Sequence, residues 1–367
     1  MFVQKKVLLI FGTRPEAIKL VSLIKRLKSS ECVNLKICIS AQHRDMLDSV
    51  LKEYSIVPDY DLDVMRSAQT LDYITSEILS KTGKVIDSCS PDLILVHGDT
   101  TTAFVSALAG FYRKIPIGHI EAGLRSRNIL SPYPEEFNRR AISIISSYHF
   151  APTDTARNAL LSEGIPSNRI FTVGNTAIDT LKYNLSSATP SNFVSSTDGH
   201  PYILITVHRR EHDEKELSDI FFALKRLCCA HPEMNAIYPL HKNPRLRDIA
   251  TTALKNTKNL LLCDPLETKA FHHLLSKAYM VLTDSGGIQE EAAFLGKPTL
   301  VLRDTTERPE GVEAGVLRLV GSDPNAIFEN ADTLLGNRAE YDKMAIPTNV
   351  FGDGLASKRI AEIIENL

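Results

Sequence analysis

Three observations predict an α/β protein of two doubly wound domains. Short apolar runs alternate with longer stretches of helical period, the alternation pauses once and restarts, and 367 residues are too many for one ordinary domain. The first half opens with a β-branched and leucine-rich run at 7–11, a helical stretch at 16–28, a run at 35–40 and a helix at 45–54. It continues with a helix at 71–87, a run at 93–96, a helix at 101–112, a run at 117–120, a helix at 136–146 and a run at 170–173. Near-continuous apolar strands are buried on both faces, which means a parallel sheet covered by helices. A helix at 176–185 and the polar stretch 186–191 punctuate the chain. Strands at 202–206, 235–238, 260–263, 280–282 and 299–302 then form a second set, with helices such as 215–230 and 324–335 between them. The expected joint lies near 173–175, and the expected ligand cleft is where the carboxyl ends of both sheets face each other.

Composition excludes several classes. With 42 basic and 44 acidic side chains the net charge is -2, which provides no general attraction to nucleic acid or anionic lipid. The six cysteines, Cys32, Cys38, Cys89, Cys228, Cys229 and Cys263, form no C-x-x-C pair and read as reduced thiols of a cytoplasmic protein. The apolar run at 7–11 is too short for a signal or membrane segment.

The chemistry-bearing residues fall at strand ends. Asp284-Ser285-Gly286-Gly287 follows a strand and precedes a helix expected to open at Ile288, so the glycines can turn sharply toward an anion at the helix N-terminus. Glu291, one turn into that helix, can accept hydrogen bonds from a ribose diol; the same octapeptide also reads as a turn capped by Asp284 or Ser285. Gly12-Thr13-Arg14-Pro15-Glu16 occupies the first βα turn. Arg14 stands where a dinucleotide fingerprint needs its second glycine, which argues against NAD and leaves Arg14 and Lys19 as cations at the cleft. His97-Gly98-Asp99-Thr100 offers Asp99 as a catalytic carboxylate or as a helix cap. Glu121 ends the next strand, and Glu135 opens a helix behind Ser131-Pro132-Tyr133-Pro134. Three carboxyl groups converging on one cleft would push each other's pKa values apart. In the second half His208-Arg209 can neutralise a diphosphate, and His241, Arg303 and Arg308 add to the same wall. A zinc reading of His97, His119, His208 and His241 fails on spacing.

Taken together, Gly12 to Lys19, His97 to Thr100, His119 to Arg125, His208 to Glu211 and Asp284 to Glu291 resemble the non-hydrolysing bacterial UDP-N-acetylglucosamine 2-epimerases, essentially end to end. The resemblance implies a GT-B fold of two Rossmann-like domains, 1–173 plus 355–367 and 174–354, with the final helix returning to the first domain. It also implies a homodimer. Residue by residue it implies that Asp99, Glu121 and Glu135 are the catalytic carboxylates, with His208 beside the UDP phosphates. Arg14 and Lys19 would contact the nucleotide-sugar, Ser285, Gly286 and Gly287 the phosphates, Glu291 the ribose, Phe271 the uracil, and Arg308 the ligand. Leu266 replaces a glutamine near the uracil. Gln42, His43, Gln69, Arg209 and His241 match a second, activating UDP-N-acetylglucosamine site, but Asp45 and Ala68 replace a glutamine and an arginine there. Activation is therefore expected to be weak or absent.

The partners implied are UDP-N-acetylglucosamine and UDP, with no cofactor and no metal. Because the proton on carbon 2 is not acidic and no NAD fingerprint exists, the route implied is elimination of UDP to 2-acetamidoglucal and re-addition. The product would supply surface polysaccharide. A hydrolysing epimerase, a GT-B glycosyltransferase and a non-catalytic UDP-sugar sensor are the alternatives.

Overall fold

The computed structural model describes residues 4–42, 44–66, 69–187, 200–208, 212–241 and 243–367. The chain divides into two compact units, Met1–Tyr183 with Gly352–Leu367, and Asn184–Phe351.

The first unit is built on β1 (Lys5–Phe11), β2 (Val33–Ile39), β3 (Tyr60–Asp61), β4 (Leu93–His97), β5 (Ile117–Ile120), β6 (Tyr148–Ala151) and β7 (Ile170–Thr172). They pair in the order β3-β2-β1-β4-β5-β6-β7, with every neighbour parallel. The two-residue period of β1 sends Val7, Leu9 and Phe11 to one face and Leu8 and Ile10 to the other. The first set packs under helices Arg14–Lys28, Arg44–Glu53 and Ala356–Asn366, the second under Leu71–Cys89 and Thr101–Phe111. Pro15 in the first turn and Lys25, Arg26 and Lys28 in the last suit the start and the dipole of helix Arg14–Lys28. Chain order reverses between β1 and β4, so the turns leaving these two strands flank the switch point of the sheet.

The second unit holds β8 (Tyr202–Thr206), β9 (Asn235–Pro239), β10 (Leu260–Cys263), β11 (Met280–Thr283), β12 (Thr299–Val301) and β13 (Leu317–Leu319) in the parallel order β10-β9-β8-β11-β12-β13. Helices Glu214–Ala230, Pro244–Ala253 and Pro324–Gly336 cover one face; Thr268–Lys277 and Gly286–Phe294 cover the other. Its switch point lies between β8 and β11.

The division falls later than the joint expected at 173–175, inside helix Thr176–Ser186. The first turns of that helix are bound to the first unit: Thr180 donates to the Ile18 carbonyl (2.8 Å), and Asp179 accepts from the Ser357 (2.7 Å) and Ala356 (3.2 Å) backbone N–H groups. Asp179 thus caps the last helix from outside, since Leu355 has no side chain to do so. Gly352 (φ +130°) crosses Gly174 where the chain returns; a Cβ there would stand 2.9 Å from the Asn175 nitrogen. The strands β3, β6 and β13 were not expected. Two are two- or three-residue edge pieces, and Tyr148-His149-Phe150-Ala151 carries a polar residue in mid-strand.

Candidate functional site

In the first unit the turn after β1 is fixed from inside. Gly12 can have no side chain, because a Cβ would lie 2.0 Å from Ser40 Oγ and 2.4 Å from Thr102 Oγ1. Glu16 folds back on the turn and accepts from the Gly12 (3.0 Å) and Thr13 (2.8 Å) backbone N–H groups and from the Thr100 hydroxyl (2.8 Å). It thereby ties the turns leaving β1 and β4 together. Burial raises the Glu16 carboxyl to about 7 against these hydrogen bonds. A carboxyl raised from 4.5 in the unfolded chain contributes stability that is full below about pH 4.5 and lost as pH rises through about 7. Glu16→Gln is accordingly expected to lose this pH dependence: the wild-type melting temperature should fall relative to the variant's between pH 4.5 and 7.

Arg14 opens helix Arg14–Lys28, half-buried beside Glu53 and Tyr54; burial lowers its pKa, opposed by those two groups. Lys19, a turn further on, pairs with Glu121. Glu121 follows β5, and Asp99 follows β4 on the adjacent strand, where His97 is in register with Ile120.

The cap reading of Asp99 is corrected by the structure. Thr100 caps helix Thr101–Phe111, accepting from the Ala103 N–H at 3.0 Å. Asp99 instead receives Arg139, through Nε at 3.1 Å and through a second contact from Nη2, while Asn138 donates to the Asp99 carbonyl (2.9 Å). Both come from helix Glu135–Ile145, which Glu135 opens. The next residue, Glu136, is wholly buried and accepts from the Ser126 N–H (3.0 Å) and Arg139 (3.2 Å). Asp99 and Glu121 are thus each paired with a cation, Arg139 and Lys19. No local pattern singles out Arg139 or Asn138, because the group they hold is about 40 residues away.

In the second unit Asp284 is wholly buried at the end of β11. It accepts from the His208 backbone N–H (2.8 Å) with one oxygen and stands 3.1 Å from His208 Nδ1 with the other. His212 Nε2 lies 3.6 Å away, and Asp284 with Glu216 holds the His212 pKa above its ordinary value despite burial. Neither Asp284 nor Ser285 caps the helix with its side chain; Ser285 is the residue before it, and its N–H goes to Thr283 Oγ1 at 3.0 Å.

The glycines also differ from expectation. They are the first two residues of helix Gly286–Phe294, which opens two residues before Ile288, and neither has positive φ. Gly286 is there for Arg308, since a Cβ would meet its guanidinium carbon at 2.6 Å. Gly287 faces open space: outside its own helix backbone and chain neighbours, no atom of the described residues lies within 4 Å of its Cβ position. Arg308 is held by buried Glu290 (Nε to Oε1, 2.9 Å) and by Glu307 at 3.3 Å. Burial would raise Glu307, but Arg303 and Arg308 bring it down to about 2, so it stays ionised. The first-turn N–H groups of this helix, with Arg308 against Gly286, have the chemistry that can seat an anion, and His208 is tied to Asp284 just before it.

Glu291 lies 3.3 Å from Nε2 of buried His272, whose Nδ1 takes the Asn184 amide at 2.9 Å; that hydrogen bond leaves the proton on Nε2, toward Glu291. Phe271, Leu266 and Ile288 each pack half-buried against the core cluster that includes Leu274, Leu275 and Ala292. Gln289, wholly buried, accepts from the Thr306 hydroxyl (2.7 Å).

Of the residues assigned to a second ligand, Gln42 and Gln69 come together: Thr102 donates to Gln42 Oε1 (3.0 Å), and Gln69 donates to the Gln42 carbonyl (3.2 Å). His241 stacks on His208 with ring centres 5.7 Å apart. His43, Arg209 and Ala68, like the Asp45 side chain, lie outside what is described. Among the described residues no cluster of His, Cys, Asp or Glu is arranged to hold a metal, and no helix is long and apolar enough to cross a membrane.

Two parallel-sheet units with these residues at their switch points define a GT-B-like α/β protein, and solved structures share that fold over its whole length. The protein is similar to a Neisseria meningitidis UDP-GlcNAc 2-epimerase crystallised with UDP-GlcNAc, at TM-score 0.93 and 46% identity, covering 99% of this chain and 100% of the other. A Methanocaldococcus jannaschii UDP-GlcNAc 2-epimerase in complex with UDP-GlcNAc and UDP superimposes at TM-score 0.86 with 34% identity, covering 99% and 100%. The UDP-N-acetylglucosamine 2-epimerase of Escherichia coli K12 is 46% identical over 370 residues, 98% of each chain. The family model for UDP-N-acetylglucosamine 2-epimerase matches residues 25–365, and the chain belongs to that family.

Proposed function

We propose that the protein is a non-hydrolysing epimerase that interconverts UDP-N-acetylglucosamine and UDP-N-acetylmannosamine in the cytoplasm, by eliminating UDP and adding it back. The observation that supports this reading is that the chain carries both a helix N-terminus with Arg308 at its first turn and carboxylates bound by cations, one in each unit. In the second unit, Gly286 and Gly287 begin a helix with Arg308 against Gly286 and His208 tied to Asp284 just before it. In the first, Asp99 and Glu121 are held in place by Arg139 and Lys19. UDP is retained as a leaving group by the first-turn N–H groups, Arg308 and His208, which offset the charge developing on its β-phosphate. Glu291 takes the ribose, Phe271 lies at the uracil, and Arg14 assists at the nucleotide-sugar. Asp99, Glu121 and Glu135 remove and return the carbon 2 proton on opposite faces and face the oxocarbenium-like carbon 1.

Proton NMR of UDP-N-acetylglucosamine alone with the protein in D2O tests it. UDP-N-acetylmannosamine should appear, with deuterium at carbon 2 of both epimers. Free N-acetylmannosamine with UDP would mean a hydrolysing enzyme, no change a transferase or sensor, and epimerisation without exchange would exclude elimination. The same incubation over a substrate titration should give hyperbolic kinetics; a sigmoidal dependence abolished by altering His241 would establish the second site.

The enzyme is further proposed to be a homodimer through the first unit. Phe137 packs edge-on to Phe104 (5.5 Å), and the residues seven further on, Ile144 and Phe111, continue both stripes into solvent, Ile144 at 80% exposed. Leu71, Leu130 and Tyr133 line a cavity of about 420 Å³ beside them. Ile144→Glu is expected to convert the dimer to monomer in sedimentation experiments; an unchanged sedimentation coefficient would place the interface elsewhere.

A further inference from the structure

His97, at the end of β4, is a buried histidine to which the chemistry so far gives no task. Its side chain is 3% exposed, and neither ring nitrogen has a hydrogen-bond partner among the described residues. A buried imidazole ordinarily satisfies at least one nitrogen, as His119 does on the neighbouring strand with the Gly98 carbonyl at 2.7 Å. The polar atom brought to His97 is Glu121 Oε2, 3.5 Å from Nε2. That same oxygen is the one engaged by Lys19.

The chain is bent to achieve this. Glu121 adopts φ +63°, the left-handed region that favours glycine and that a side-chain-bearing residue enters only against steric strain. Such strain persists where surrounding structure dictates it, and here it turns the carboxylate back onto Lys19 from helix Arg14–Lys28 and onto His97 from β4. The groups that act on the His97 ring are Glu121, Lys19 and, through the neighbouring strand, His119. Burial holds the ring at about 4, so it is a neutral hydrogen-bond donor rather than a second cation.

We propose that His97 is a positioning residue for Glu121: its Nε2–H closes on Glu121 Oε2 alongside Lys19, so that one carboxylate oxygen is clamped and the other is set toward the sugar. Hydrogen bonds of this kind tighten in a substrate complex, and a separation of 3.5 Å is short enough to close there. The inference rests on the reading of Glu121 as a reacting carboxylate.

The test compares His97→Leu, which keeps bulk and removes the donor, with His97→Gln, which restores one. Loss of a donor to the ionised carboxylate should raise the Glu121 pKa. In His97→Leu the expected result is a kcat lower by about 10- to 100-fold with KM within about twofold, and an acid limb of kcat moved up by about one pH unit. His97→Gln should recover most of both. A carboxyl carbon-13 titration of Glu121 in the unliganded protein, assigned with Glu121→Gln, should show the same upward shift in His97→Leu and not in His97→Gln. Unchanged titration and unchanged acid limb in His97→Leu would overturn the proposal, as would equal losses in both variants accompanied by a lower melting temperature. If the wild-type protein does not epimerise, the functional reading fails, while the titration still decides whether His97 acts on Glu121.

Discussion

Asp99→Asn is expected to reduce kcat by about three orders of magnitude while UDP affinity stays within about twofold and the melting temperature changes little. The amide oxygen can still accept from Arg139, and Arg139 keeps Glu136 at 3.2 Å, so the buried guanidinium is not left uncompensated. The cap of helix Thr101–Phe111 belongs to Thr100 and is untouched. What the substitution removes is a basic oxygen a quarter exposed at the end of β4, next to the strand that delivers Glu121. Stopped or continuous NMR assays give kcat, and calorimetry with UDP gives the affinity. Turnover within tenfold of wild type would mean that Asp99 serves only to anchor helix Glu135–Ile145. A loss matched by weaker UDP binding would move its role from the reaction to the ligand.

The second large effect separates two adjacent glycines. At Gly286 a methyl group would stand 2.6 Å from the Arg308 guanidinium, which cannot retreat without breaking its pairs with buried Glu290 and with Glu307. Gly286→Ala is therefore expected to lower the melting temperature by several degrees and weaken UDP binding by about 10- to 100-fold. Gly287→Ala meets none of the described residues beyond its own helix and replaces glycine in a helix, so its melting temperature should be equal or slightly higher. Its methyl group nevertheless occupies the space into which the first-turn N–H groups point, and UDP should bind about tenfold or more weakly. Wild-type affinity in Gly287→Ala would show that the diphosphate does not sit at this helix end.

These two cases mark how far local pattern reaches. Strand β4 and strand β11 are readable because four or five consecutive apolar residues must be buried on both faces, and a polar residue straight after such a run must lie at the carboxyl edge of a parallel sheet. That placed Asp99, Glu121, His208 and Asp284 to Glu291 at strand ends. It did not separate Asp99 from Thr100 as the cap, because both side chains can accept a first-turn N–H. The exit of the strand decides, and Gly98 with φ +66° sets it. Nor did it separate the two glycines, which are identical letters until Arg308, 22 positions on, closes over one of them.

Periodicity and residues near one another in the chain suffice for the two-sheet α/β architecture, the positions of the strand-end motifs and the family they resemble. The electrostatic partners come from packing across the fold: Arg139 for Asp99, about 40 residues apart, Lys19 and His97 for Glu121, with 102 residues from Lys19, and Asp284 for His208, 76 apart. The physical reason is that an ionised group out of water must find a countercharge or donor wherever the fold brings one. That choice is made by sheet order and helix packing, which carry no local signature.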